Sequence, residues 1–305
     1  MELTGILPAV VTPLSSGGAF VPYLFERLLE RLYAAGVHGV YVCGQTGEGM
    51  QQPADQRKRV LETAVRCSPP GKLVIIHVGA ASTPEAIELA RHAEEAGAHA
   101  ISSLPPAVTY DYPEIHAYYQ ELAQSTSLPL LLYHHPDVCP ILTPGRALDL
   151  CSIPNVAGFK FTDFNLYLLS LIRHKGLVVF NGRDEVLAAG LLMGATGGIG
   201  TFYNLFPGLF VKIFDLASES RWAEAAALQK ALSPVLREIF RFPLVPAVRA
   251  ALTYIGLDCG ECIGPRRKLA EEEVAAVHAT LSNLPPELED YLIRFDRPVA
   301  ALHRL

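Results

Sequence analysis

Charge is scarce in this chain of 305 residues: 18% are Asp, Glu, Lys or Arg, against 50% hydrophobic. The formal net charge is −6 and no run of Lys or Arg occurs, which argues against nucleic acid and anionic membrane as partners. No apolar stretch reaches the roughly 18 residues a membrane-spanning helix requires. Met1-Glu2-Leu3-Thr4 leads straight into an apolar segment without a charged n-region, h-region and cleavage site. The six cysteines (43, 67, 139, 151, 259 and 262) are scattered, so a reduced, cytoplasmic protein is expected. The lone CxxC at Cys259 and Cys262 lacks a second cysteine pair or nearby histidines and reads as two loop thiols.

Metal chemistry is poorly supplied. His77, His99, His134 and His135 form no HxH pair and meet no cluster of carboxylates, and adjacent His134 and His135 point to opposite faces of a strand. The glycines of residues 194–200 imitate a dinucleotide fingerprint, but the segment leaves a helix and enters a strand, the reverse of the required order. Neither a metal nor a nicotinamide cofactor is expected.

What is present is an apolar run at residues 156–162 with a lysine in its middle. It reads as a buried strand whose alternation sets Gly158, Lys160 and Thr162 on one face. Burying an unpartnered ammonium costs several kcal/mol, roughly, and the cheaper outcome is a lowered pKa. A neutral amine can then attack a carbonyl. A structural lysine paired with a buried carboxylate, or one snorkelling from a strand end, fits this segment equally well.

Around that strand, short apolar runs alternate with helical patterns. Strands are expected at residues 5–14, 39–43, 72–79, 98–104, 128–133, 156–162, 177–180 and 197–202, each followed by a helix. Eight strand-then-helix units argue for an α/β protein with a (β/α)8 TIM barrel over residues 1–218. After residue 218 the strands stop, and helices at 221–240, 246–255, 270–281 and 286–294 form an all-helical extension over 219–305.

Active residues of such barrels gather at the carboxyl ends of the strands. After the second strand, Gly44, Gln45, Thr46 and Gly47 can turn amides and a hydroxyl toward an anion such as a carboxylate, or form a plain turn with a helix cap. Tyr133 ends the fifth strand, where its phenol either relays a proton or caps the core. Asp184 and Glu185 follow the seventh strand, as acceptors for sugar hydroxyls or as acids favoured by a helix dipole.

Taken together, Gly44-x-Thr46-Gly47-Glu48, Tyr133-x-x-Pro136, Gly158-x-Lys160 and Gly194-Ala195-x-Gly197-Gly198 resemble the N-acetylneuraminate lyase and dihydrodipicolinate synthase family of class I, Schiff-base aldolases. The resemblance runs from Gly5 to about Arg267. It implies that Lys160 forms an imine with pyruvate, that Tyr133 shuttles the proton and that residues 44–47 hold the pyruvate carboxylate. The imine needs no external cofactor, and a homotetramer is implied. The lyase branch is favoured by Tyr133-His134-His135-Pro136, and by Val138 where the synthase carries an arginine. Gly182-x-Asp184-Glu185 and Gly200-Thr201-x-Tyr203-Asn204 resemble the segments that hold the hydroxylated tail of the sugar acid, and Thr162 corresponds to a hydroxyl near the reacting centre.

Three departures bear on the substrate. Gln45 stands where the family has Ser or Thr in its proton relay, and an amide cannot relay a proton as a hydroxyl does. Residues 104–108 lack the aromatic expected at a subunit contact, and Arg183 adds a cation beside the sugar-tail segment. The leading expectation is a lyase acting on a sugar-derived 2-keto acid. The alternatives are an aldolase or dehydratase for a smaller keto acid, and a non-catalytic keto-acid binder, which would need neither Lys160 nor Tyr133.

Overall fold

The computed structural model describes residues 2–106, 110–139 and 142–295. Its strands are β1 (Gly5–Pro8), β2 (Gly39–Val42), β3 (Leu73–His77), β4 (Ala100–Ser103), β5 (Leu130–His134), β6 (Val156–Phe161), β7 (Val178–Asn181) and β8 (Gly197–Gly200). Between and after them run α1 (Pro22–Ala34), α2 (Ala54–Cys67), α3 (Thr83–Glu95), α4 (Tyr112–Gln124), α5 (Pro144–Leu150), α6 (Leu166–His174), α7 (Leu187–Leu192) and α8 (Pro207–Ser218). These strands pair with one another in parallel, in the order β1-β8-β7-β6-β5-β4-β3-β2. The seam between β1 and β2 is closed by the bridge of Ala9 to Tyr41, with Val10 N donating to Tyr41 O at 2.9 Å, and by His38 N donating to Ile6 O at 2.9 Å. This is the TIM barrel that the alternation predicts.

Strand alternation creates two cores. Leu7, Tyr41, Ile75, Leu131, Phe180 and Ile199 fill the lumen, whereas the outward-facing residues meet the helices. The helices answer with apolar stripes. In α1 the buried residues are Leu24, Phe25, Leu28, Leu29 and Leu32, spaced to keep one face on the barrel. A capping box between Asp111 and Glu114 starts α4.

Among the described residues four helices follow the barrel: α9 (Trp222–Ile239), α10 (Leu244–Tyr254), α11 (Glu271–Ser282) and α12 (Pro286–Glu289). The first packs against α7 and α8, and α10 packs against α11. The helix expected over 286–294 stops at Glu289 because later amides find partners elsewhere. Ile293 N donates to Leu205 O at 3.0 Å and Phe295 N to Ile255 O at 2.9 Å, which laces the chain back onto earlier elements. The last strand likewise ends at Gly200 rather than at residue 202, because Phe202 N donates to the Asp184 carboxylate at 2.7 Å and a 3-10 turn begins. Among the described residues no helix is long and apolar enough to cross a membrane.

Candidate active site

At the carboxyl ends of the strands lies a cavity of about 170 Å³. In β6, Phe159 and Phe161 join the outer core, which turns Lys160 into the lumen with only 3% of its surface exposed. Register pairs Lys160 with Tyr133 on one side and with Phe180 on the other. The Lys160 Nζ lies 4.1 Å from the ring centroid of Tyr133 and 4.1 Å from that of Tyr41. The two rings meet edge to face at 88°.

Two aromatic faces favour an ammonium by about 2 kcal/mol when desolvated, less than the several kcal/mol, roughly, that its burial costs. Burial therefore brings the Lys160 pKa down to about 7, with Asp184 opposing the shift. Asp184, also buried, is pushed up to about 7. Each group is moved toward its neutral form by loss of water. Burial likewise raises the Tyr133 phenol, which stays protonated near neutrality. The Thr162 hydroxyl offsets part of that rise, yet its oxygen makes no hydrogen bond of normal geometry among the described residues.

The segment after β2 differs from the expected glycine turn. The left-handed residues are Cys43 (φ 56°) and Glu48 (φ 53°), not the glycines between them. Gly44 and Gly47 are needed for space: a Cβ would come within 2.5 Å of the Tyr41 ring at Gly44 and 2.8 Å of Val10 O at Gly47. Strain of this kind persists only where surroundings hold it, and here Glu48 is held by a buried ion pair with Arg249. Among the described residues the amides of Gln45, Thr46 and Gly47 have no hydrogen-bond partner, and Gln45 and Thr46 line the cavity. The Thr46 hydroxyl lies 2.7 Å from that of Thr201, linking this loop to the end of β8.

Lys160, Tyr133, Gln45, Thr46 and Thr162 thus face one space, together with Gly182, Asp184, Glu185 and Thr201. Gly44 and Gly47 support the loop from behind. A Cβ at Gly182 would sit 2.2 Å from the Thr162 hydroxyl, and one at Gly200 would sit 2.0 Å from Asp184 Oδ1, so both glycines admit a polar neighbour. Of the segment from Gly200 to Asn204, Thr201 lines the cavity, whereas Tyr203 and Asn204 do not. Both ends of the Asn204 amide are spent on the barrel: Oδ1 accepts from Val11 N and Nδ2 donates to Ala9 O at 2.8 Å. Tyr203 packs on Phe210 with ring centroids 4.0 Å apart. Of residues 104–108, residues 107 and 108 lie outside the described part.

His134 and His135 separate as alternation requires. His134 stacks on Phe161 and pairs with Asp163 at 3.0 Å, away from the cavity, whereas His135 lines it. Burial, aided by Arg183, brings His135 down to about 4, so it is neutral at pH 7. Tyr41, Phe240, Leu244, Val245 and Arg266 also shape the site but were missed in the sequence. Tyr41 stands in an apolar strand like any core aromatic. The other four come from the helical extension, where nothing local marks them.

The profile of the Dihydrodipicolinate synthetase family matches residues 2–284. The chain belongs to this family. It is 37% identical over 287 residues to N-acetylneuraminate lyase of Rhizobium meliloti, a match covering 92% of this chain and 95% of that protein. It is 30% identical over 261 residues to N-acetylneuraminate lyase 2 of Escherichia coli, covering 84% and 86%. Among solved structures it resembles the sialic acid aldolase of Ruminococcus gnavus, with a TM-score of 0.88, 26% identity and coverage of 95% and 99%. It also resembles a prophage protein of the dihydrodipicolinic acid synthase family from Escherichia coli K12, solved in complex with pyruvate, with a TM-score of 0.87, 26% identity and coverage of 94% and 100%. As a member of this family with these relatives, the protein is an enzyme, a class I aldolase or lyase of N-acetylneuraminate lyase-like type.

Proposed function

We propose that the enzyme cleaves, or forms, a sugar-derived 2-keto acid through an imine between Lys160 and the keto carbon, with pyruvate as one product or substrate. The observation that carries this reading is the buried Lys160 amine, its pKa near 7, lying 4.1 Å from the Tyr133 ring in the same cavity. With that pKa about half of the amine is neutral at pH 7 and can add to a ketone, and loss of water leaves a cationic imine.

The proton inventory closes around Tyr133. The phenol gives its proton to the departing water, and the cationic imine next to it stabilises the phenolate that remains. The phenolate takes the proton of the C4 hydroxyl as the C3–C4 bond breaks, and the bonding electrons move to the imine nitrogen as an enamine. The same proton then passes to C3, giving the pyruvate imine. Water hydrolyses that imine, pyruvate leaves, and the proton released returns to the phenolate while Lys160 becomes a neutral amine again. The unpaired amides of residues 45–47 suit the keto-acid carboxylate. Asp184 and Glu185 suit the hydroxyls of the tail.

Pyruvate with borohydride tests this. A reduced pyruvate adduct is expected on the peptide containing Lys160, and none on Lys160→Arg, whose guanidinium stays protonated and cannot attack. Labelling of another lysine, or no labelling, removes the imine. A second reading, a smaller keto acid, is favoured by the size of the cavity, about 170 Å³, against the 300 Å³ or more, roughly, of common ligand pockets.

A further inference from the structure

Two guanidinium groups stand in the wall of the cavity, Arg183 after β7 and Arg266 from the loop between α10 and α11. They differ in how far they are already satisfied. Arg183 pairs with the exposed carboxylate of Asp137 and lies over the Phe164 ring, 4.6 Å from its centroid. Arg266 makes no side-chain hydrogen bond among the described residues. Its one near carboxylate is Glu48, with Nε 3.5 Å from Oε1, outside hydrogen-bond geometry.

Glu48 is in turn already spent. Its Oε2 accepts from Arg249 Nη2 at 2.6 Å and from Nε at 3.2 Å, and its Oε1 accepts from Ile263 N at 2.9 Å. One buried negative charge therefore faces two cations, and Arg249 takes it. Arg266 is the surplus charge, and its side chain is 32% exposed while Lys160 is 3% exposed. It stands at the rim, whereas the reacting amine is at the floor. Of the acids in the same wall, Asp184 is pushed up to about 7 by burial, and among the described residues neither it nor Glu185 makes an ion pair with Arg266.

We propose that Arg266 binds a second anionic group of the substrate, a carboxylate at the end remote from the keto acid. This rests on the imine reading above and narrows it: the aldehyde half carries a carboxylate, so the cleaved compound is a 2-keto diacid. A guanidinium fork matches a carboxylate with two parallel N–H donors, and a binding energy realised only with that group shows as discrimination between acceptors. The position carrying the cation in this protein is on the helical extension, not after the tyrosine motif, where Val138 stands.

The test runs in the condensation direction, with pyruvate and one of two aldehydes of equal chain length, succinic semialdehyde or butanal, read as pyruvate consumption. The wild-type enzyme is expected to prefer the carboxylate-bearing aldehyde by tenfold or more in kcat/KM. Arg266→Met should raise the KM for succinic semialdehyde tenfold or more and leave the butanal value within about threefold, with Arg266→Lys regaining part of the loss. Trapping of pyruvate on Lys160 is read beside it. Its failure in the wild-type enzyme removes the imine reading itself. Trapping that succeeds while the enzyme shows no carboxylate preference, or takes neither aldehyde, overturns this inference alone. So does an Arg266→Met enzyme that affects both aldehydes equally, or that needs tenfold more pyruvate for trapping, since Arg266 would then serve the loop or the keto-acid carboxylate.

Discussion

Arg249 on α10 and Glu48 in the loop after β2 form a buried ion pair, with Nη2 2.6 Å from Oε2 and side-chain exposures of 4% and 0%. Arg249 also donates to Thr12 O at 2.8 Å and Cys259 O at 2.6 Å, so one guanidinium joins the helical extension to two strand-end loops. The left-handed Glu48 that it holds adjoins the unpaired amides of residues 45–47. Removing one partner of a buried pair leaves the other charge uncompensated, at about 3–5 kcal/mol. Glu48→Gln is therefore expected to lose about that much stability in urea unfolding and to raise the pyruvate concentration needed for trapping. A loss below about 1 kcal/mol would mean the pair does not hold this loop.

Imine formation should depend on pH with an acidic limb near 7. The Lys160 pKa is lowered to about 7 by burial, so the amine is protonated and inert below that value and free above it. The rate of borohydride trapping at fixed pyruvate is expected to climb through about pH 7 and level off. A rise that continues toward pH 10, the range of an ordinary lysine, contradicts the desolvated amine.

Tyr133→Phe separates the two halves of the reaction. It removes the hydroxyl to which the proposed mechanism assigns the proton, while keeping the ring beside Lys160, 4.1 Å from Nζ. Carbon–carbon cleavage should fall by roughly 10²–10⁴-fold, the usual contribution of a general acid–base group, with trapping slowed less, because water can supply the proton for dehydration whereas the C4 hydroxyl needs a base beside it. Unchanged turnover removes Tyr133 from the proton path.

Glu185 offers the cleaner test of tail recognition. Asp184 is entangled with the fold, because its Oδ2 accepts from Phe202 N and its backbone carbonyl accepts from Gln229 Nε2 at 3.0 Å. Glu185 lines both the cavity and the groove beyond it along α9. Hydrogen bonds to a charged group contribute roughly 1.5–3 kcal/mol each, so Glu185→Gln is expected to cut turnover of long polyhydroxy substrates by about tenfold while pyruvate trapping persists. Long and short substrates processed in the wild-type ratio would leave Glu185 without a part in specificity.

Amino-acid order alone determined what depends on near neighbours. The alternation of short apolar strands with amphipathic helices specified the barrel, and an apolar run broken by one lysine marked Lys160, because strand period and burial are properties of a few consecutive residues. The strand ends then gathered Gln45, Thr46, Tyr133 and Asp184, since a barrel brings all its carboxyl ends to one face. Tertiary structure decided what depends on distant partners. Whether Asn204 faces substrate or pins β1 turns on the position of Val11 and Ala9 at the other end of the barrel chain. Whether the loop of residues 43–48 is strained at its glycines or at its flanks turns on Arg249. The cation of Arg266 reaches the cavity only because the helical extension folds back over the barrel mouth, and no local pattern encodes a contact between residues so far apart in the chain.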